Sequence, residues 1–177
     1  MKIDITEKLK IPEEITVDIE NNIIKAKGPE GSNEKKIFHP KIKIIKEDNT
    51  IILSTKKATK REKTILNTLK AHIRNIITGV KEGYEYKLKI CSGHFPMNVS
   101  IQNNELIIKN FFGEKKPRKT KIMEGANVKI DGDIITVKGV DIDAVSQTAS
   151  KIELATRRTG FDRRIYQDGI WIIKKRK

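Results

Sequence analysis

Apolar and polar residues alternate over several short stretches of this chain, and in two longer stretches apolar residues recur every three to four positions. Alternation over four to eight residues marks a strand buried on one face, whereas the longer recurrence marks an amphipathic helix. "VDIENN" (Val17 to Asn22) and "VSIQNN" (Val99 to Asn104) both place β-branched residues at alternate positions. Both then offer Asn-Asn, a pair that tolerates positive φ in a tight turn. A second apolar segment follows each, "IIKAKG" in one case and "LIIKNF" in the other, so two β-hairpins are predicted.

The likeness continues downstream. "KIKIIKEDNTIILST" (Lys41 to Thr55) reads as strand, polar turn and strand. "NVKIDGDIITVKG" (Asn127 to Gly139) has the same shape, with Asp131-Gly132 as its hairpin turn. A helix is predicted after each. The first covers roughly Thr59 to Thr78, with Leu66, Leu69, Ile73, Ile76 and Val80 on one face and Gly79 as its stop. The second starts at Asp141, an N-cap, and aligns Ile142, Val145, Ala149 and Ile152, with Gly160 as its end. The hairpins are offset by 82 positions and the two glycines by 81, in the same order, which is the mark of a duplication. A helix hides one face of a sheet, so the predicted fold class is α+β: two duplicated domains, each an antiparallel sheet with one helix packed on one face. "GVKEGYEY" carries two glycines and no apolar period. It places the boundary so that residues 1–82 form the first repeat and 83–177 the second.

Composition changes the picture from fold to partner. Lysine and arginine number 37 against 23 acids, a net charge of +14, in a chain of 177 residues. Such a balance attracts a polyanion: RNA, DNA or an anionic membrane. No apolar run approaches the ~18 residues that a spanning helix needs. The N-terminus "MKIDITEKLKIPEE" has no apolar signal core, so a cytosolic location is expected. Cys91 is the only cysteine, which excludes an internal disulfide and a cysteine-rich metal site. It falls at the end of the predicted strand "YKLKIC" and is expected to act as a small buried hydrophobe.

Catalytic chemistry finds no foothold. His39, His72 and His94 fall in different predicted elements with no metal-ligand spacing. No GxSxG, GxxxxGK[ST] or GxGxxG pattern occurs, so neither a serine nucleophile nor a phosphate loop is predicted. Asp131 and Asp133 flank a hairpin glycine, and Asp141 and Asp143 open a helix, where capping and the helix dipole account for them. No enzyme activity, cofactor or metal is expected.

The positive charge gathers in three places. "KKATKREK" (Lys56 to Lys63) lies where a strand enters the first helix, and "EKKPRKTK" (Glu114 to Lys121) lies in a proline-broken connection. The third is the closing stretch, "TRRTGFDRRIYQDGIWIIKKRK", which mixes eight basic residues with Phe161, Tyr166 and Trp171. Arg157, Arg158, Arg163 and Arg164 can each fork onto phosphate oxygens or stack on a base. A turn at Asp168-Gly169 and an ordered strand from Gly169 to Ile173 are predicted, so this end is a folded surface rather than a loose tail. Arginine and lysine held on a rigid fold suit shaped RNA.

At these residues the chain resembles a known family. "GHFPMNVSI" (Gly93 to Ile101), "NFFGEKKPRK" (Asn110 to Lys119), "VDIDAVSQTASKIELAT" (Val140 to Thr156) and "DRRIYQDGIW" (Asp162 to Trp171) are similar to the sixth protein of the large ribosomal subunit in its archaeal and eukaryotic form. "HIRNIITGVKEGYEYKLK" (His72 to Lys89) matches the domain boundary. The resemblance implies two duplicated α+β domains and a structural, non-catalytic role in the large subunit, bound to ribosomal RNA. It implies one copy per ribosome and a seat near the factor-binding region, by the sarcin–ricin loop, the stalk base and the ribosomal proteins there. It places the second domain against RNA. The candidate contacts are Lys115, Lys116, Arg118, Lys119, Arg157, Arg158, Arg163, Arg164, Lys174 and Lys175. The rival readings are a free-standing RNA-binding module and an RNA-modifying enzyme, the latter needing a cofactor loop or acid–base cluster that the sequence does not offer.

Overall fold

The computed structural model describes residues 3–20, 22–93, 95–162 and 164–176. The chain divides into two compact units, residues 1–83 and 84–177. In the first, β1 (Ile3–Lys10), β2 (Thr16–Glu20), β3 (Ile23–Gly28), β4 (Gly31–Lys36), β5 (Lys43–Glu47) and β6 (Thr50–Ala58) precede one long helix, α1 (Lys60–Glu82). The strands form two antiparallel sheets, in the orders β2-β3-β4 and β1-β6-β5. Helix α1 packs on both. Alternation decides what each strand buries: Val17 of β2, Ile24 and Ala26 of β3, and Ile51 and Leu53 of β6 turn inward. They meet Leu66, Ile73 and Val80 from one face of α1.

The second unit follows the same order. Strands β7 (Tyr84–Cys91), β8 (Asn98–Gln102), β9 (Glu105–Lys109), β10 (Arg118–Lys121), β11 (Ala126–Asp131) and β12 (Ile134–Gly139) lead into α2 (Ile142–Ala155), and β13 (Gly169–Arg176) closes the chain. The sheets run β8-β9-β10 and β11-β12-β7-β13. The predicted hairpins occupy matching places, β2–β3 and β8–β9, so the α+β duplication is present in both halves. Asn22, Asn103 and Asn104 take the expected positive φ, while Asn21 lies outside the described residues. Each unit carries a second sheet beyond the one expected, and the helix packs on both. The core of unit 2 gathers Leu88, Leu106, Ile108, Phe111, Ile135, Val137, Val145, Ile152 and Ile170.

Three boundaries differ from expectation. Helix α1 does not stop at Gly79 but runs on to Glu82. A glycine inside a helix costs only ~1 kcal/mol, and Val80 behind it is fully buried against the core. The stop is Gly83, whose φ of 67° suits glycine and whose N–H donates to Gly79 O at 3.0 Å. Helix α2 ends at Ala155, not Gly160. Thr156 leaves the helix because its hydroxyl both donates to Glu153 O and accepts the Ile170 N–H, 2.9 Å away on β13. The turn expected at Asp168-Gly169 is instead the entry to β13. Asp168 is buried, and its carboxylate accepts the Gly93 N–H at 2.9 Å. Cys91, at the end of β7, is half-buried rather than buried.

The helix starts are built as their sequences suggest. Asp141 accepts the Asp143 N–H at 3.0 Å. At α1, the Glu62 carboxylate takes the Thr59 N–H at 2.9 Å, the Thr59 hydroxyl, and the Lys41 ammonium at 2.8 Å. Those bonds, Lys41 first, hold its carboxyl well below the usual carboxylate range. The lone acid of "KKATKREK" is therefore buried, and Lys56, Lys57, Lys60, Arg61 and Lys63 are all exposed.

Candidate nucleic-acid interface

The two basic segments of unit 2, far apart in sequence, are joined by one arginine and a group of rings. The connection from β9 to β10 spans residues 110–117. It reverses sharply because Asn110 and Phe112 both take left-handed φ, 60° and 50°, on either side of Phe111. Asn110 is steadied by a bond from its side-chain amide to Pro96 O at 3.0 Å. The reversal drives Phe111 into the core and leaves Phe112 at the surface of the loop.

Arg118 opens β10 and points along the protein rather than away from it. Its guanidinium forks onto Glu114, with contacts of 2.8 and 2.7 Å. The same group lies 4.3 Å from the centre of the Phe111 ring and donates to Ala155 O at 2.8 Å and Arg157 O at 3.4 Å. These last two carbonyls sit where α2 runs out of intrahelical donors. The bond from Arg118 holds the Glu114 carboxyl below its ordinary range.

The segment after α2 folds back on the same loop. Arg158 lies over Phe161 at 4.2 Å and over Phe112 at 5.1 Å. Phe161 and Tyr166 meet edge to face at 5.1 Å, and Phe112 is 5.6 and 6.1 Å from them. Three of the five phenylalanines of the chain are thus gathered at this end. Arg164 forks onto Asp162, with contacts down to 2.7 Å. That pairing holds the Asp162 carboxyl below its ordinary range and raises Arg164. The Trp171 ring N–H donates to Gln167 O at 3.0 Å, tying the loop to β13. A carboxylate on α2 anchors the same strand, as the Ile172 N–H donates to Glu153 at 3.2 Å.

The ten sequence-predicted contacts are thereby sorted. Lys115, Lys116 and Lys119 are exposed on the β9–β10 connection and β10. Arg157 is exposed, and its side chain meets no carboxylate among the described residues. Arg158 is held on rings, Arg164 is paired with Asp162, and Arg118 is turned inward. Lys174 and Lys175 are exposed on β13 beyond a bulge in its pairing with β7, with Lys175 6.0 Å from the Tyr86 ring. Arg163 lies outside the described residues, as does His94. Sequence reasoning missed the role of Glu114. Its i,i+4 spacing to Arg118 is a familiar pairing on a helix, but here it spans an irregular loop and carried no signal.

Net charge barely separates the units. Residues 1–83 hold 18 basic and 12 acidic residues, net +6, and residues 84–177 hold 19 and 11, net +8. Arginine does separate them, with two in the first unit and six in the second. Among the described residues no group of three or more His, Cys, Asp or Glu could hold a metal ion, and no helix is long and apolar enough to cross a membrane.

These features define a basic α+β protein built by duplication, with exposed arginine and lysine gathered on loops of its second unit. The ribosomal protein L6 family matches residues 11–83 and 95–169, one match for each unit. Relatives are similar over nearly the full length. The large ribosomal subunit protein uL6 of Sulfurisphaera tokodaii is 47% identical over 174 residues, covering 98% of this chain and 94% of that one. Its counterparts in Saccharolobus solfataricus and Methanobrevibacter smithii are 45% and 41% identical, over 96% and 97% of this chain and 94% and 96% of theirs. The chain belongs to the ribosomal protein L6 family, and is a ribosomal protein rather than an enzyme.

Proposed function

We propose that this protein is a structural component of the large ribosomal subunit that binds ribosomal RNA chiefly through its second unit. Its seat is near the factor-binding region, by the sarcin–ricin loop and the base of the stalk, at one copy per ribosome among the ribosomal proteins there. The observation that carries the RNA reading is the joining of the 114–121 and 156–176 segments at one end of unit 2, through Arg118 and the Phe112–Phe161–Tyr166 rings. Lysine supplies point charge and arginine supplies forked bonds to phosphate oxygens. The seat near the factor-binding region rests on the family resemblance.

Two measurements test this reading on the full chain. The first is binding to a transcript of large-subunit RNA over a range of salt. Each phosphate neutralised contributes a log–log slope of about −0.7 to −0.9. Replacing Lys115, Lys116, Arg157 and Arg158 together by glutamine is expected to flatten that slope by about three units or more. The same number of changes at Lys56, Lys57, Lys60 and Arg61 is expected to flatten it less, and an equal or larger loss there overturns the assignment to unit 2. The second is chemical footprinting of the subunit with and without the protein. Protection is expected in the sarcin–ricin and stalk-base helices, and protection confined to other regions overturns the proposed seat.

A further inference from the structure

Arg118 looks in sequence like one more cation in "EKKPRKTK", yet the fold leaves it little freedom to meet a phosphate. Its guanidinium carries a fork to Glu114 at 2.8 and 2.7 Å, bonds to Ala155 O and Arg157 O, and a stack on the buried Phe111 ring. The side chains of Arg118 and Glu114 are only 27% and 33% exposed. Glu114 and Phe111 come from the β9–β10 connection, and the two carbonyls from the end of α2 and the residues just after it. The connection carries Lys115 and Lys116, and the end of α2 carries Arg157 and Arg158. We infer that Glu114 and Arg118 are a positioning pair that sets the spacing between these two cationic segments, so that both engage one stretch of RNA, and that Arg118 is not itself a phosphate contact. The inference rests on the RNA-binding reading above.

The chemistry selects arginine for this task. Only a planar fork satisfies a carboxylate side-on while its remaining N–H groups reach two carbonyls, and only a flat cation lies well on a ring. Lysine keeps the charge but loses the geometry. Glu114 is needed because it orients the fork. Removing it leaves the guanidinium free to swing from Ala155 O and Arg157 O, and frees the connection to drift from the end of α2.

The sign of one substitution separates positioning from contact. In a purely electrostatic surface, Glu114→Gln removes a negative charge beside five cations and must strengthen RNA binding. If the pair is a positioning device, Glu114→Gln weakens binding by about tenfold, on the scale of losing one charge-assisted fork. Arg118→Lys is then as damaging as Arg118→Gln. The experiment measures affinity and salt slope of the full-length variants on the large-subunit RNA transcript, at a temperature where melting shows each to be folded. Lys116→Gln and Arg157→Gln serve as contact references. Amide hydrogen exchange of the free protein adds a second reading, in which Glu114→Gln should raise exchange in 114–119 and 155–158 together. Weakening by Glu114→Gln and Arg118→Lys, with coupled exchange, supports the pair. Strengthening or no change with Glu114→Gln, while Lys116→Gln and Arg157→Gln still weaken binding, overturns the pair alone. Unchanged binding in all of them overturns the RNA reading and the pair with it. If Arg118→Gln does not fold, Glu114→Gln and Arg118→Lys still decide the matter.

Discussion

The same place in the duplicated plan is solved in two ways. In unit 1, β3 and β4 are joined through Pro29-Glu30 alone, with Gly28 opposite Gly31. This tight turn lies on the end of α1, and the backbone N–H of Glu30 donates to Val80 O at 3.1 Å. In unit 2, the matching strands β9 and β10 are separated by residues 110–117, and the helix end is met by a side chain, with Arg118 donating to Ala155 O. Both devices satisfy carbonyls that a helix cannot satisfy itself. They differ in what they leave over. The short turn contributes no cation, whereas the long connection carries Lys115 and Lys116 outward. A lengthened connection costs little closure entropy, so the duplicate could gain a binding surface without disturbing its strand order.

The other difference lies at the sheet edge. The two edge strands β1 and β5 leave unit 1 open on both sides of β6, and no residue of β1 is buried. In unit 2 the matching strand, β7, is covered by β13 and buries Tyr84, Leu88 and Ile90. The added strand also holds the segment that precedes it, as Ile170 N–H donates to Thr156 and the Trp171 ring N–H to Gln167 O, while Asp168 fastens that segment to Gly93 just past β7.

The contrast can be broken most severely at Phe111. It fills the core beneath the long connection, and Phe111→Ala should cost unit 2 about 3–5 kcal/mol. Hydrogen exchange should localise the loss to residues 84–177, and equal loss in unit 1 would contradict the division into two cores. The next largest effect is expected at Gly28, where an added Cβ would stand 2.5 Å from Val80 O. Gly28→Ala should destabilise unit 1 by about 1–3 kcal/mol, read as a lower melting temperature with exchange rising around β3, β4 and the end of α1. Asn110→Ala, at the matching start of the long connection, should cost less, because its loss is a side-chain bond to Pro96 O rather than a clash with backbone.

Acid should weaken both units, through different carboxylates. Glu62 has a depressed folded pKa, so its contribution to stability is complete above the unfolded value of ~4.5 and is lost as pH falls through the folded value. Unit 1 should therefore melt progressively earlier below about pH 4.5, and Glu62→Gln should flatten that dependence. Glu85, held low first by its bond from Lys138, should act in the same direction in unit 2. A pH profile unchanged by Glu62→Gln would remove the Lys41–Glu62–Thr59 network from the stability of unit 1. The smallest effect is expected at Trp171. Trp171→Ala should weaken RNA binding less than the grouped arginine and lysine changes and should leave the salt slope unaltered, because the indole holds the loop through Gln167 O and carries no charge. If Trp171→Ala changes neither affinity nor salt slope while the arginine changes reduce both, the indole does not hold the arginines in place for RNA binding.

How much was legible follows from the range of the forces involved. Alternation and 3.6-residue recurrence are local, so the hairpins, both helices, the Asp141 N-cap and the duplication could be read directly. The helix ends could not. Gly79 and Gly160 are reasonable stops by local rule, but burial of Val80 carried α1 onward, and capture of Thr156 by Ile170 ended α2 early. The basic segments were equally plain, because charge is written residue by residue. Which cations are available was not, since that depends on partners brought in from elsewhere. Arg118 and Lys116 stand two positions apart and look alike in sequence. Composition and periodicity therefore determined an α+β duplicate with a surface suited to a polyanion. Tertiary packing alone decided that the end of α2 would lie beside the β9–β10 connection, turning one arginine of the cluster into a brace and leaving its neighbours as cations facing solvent.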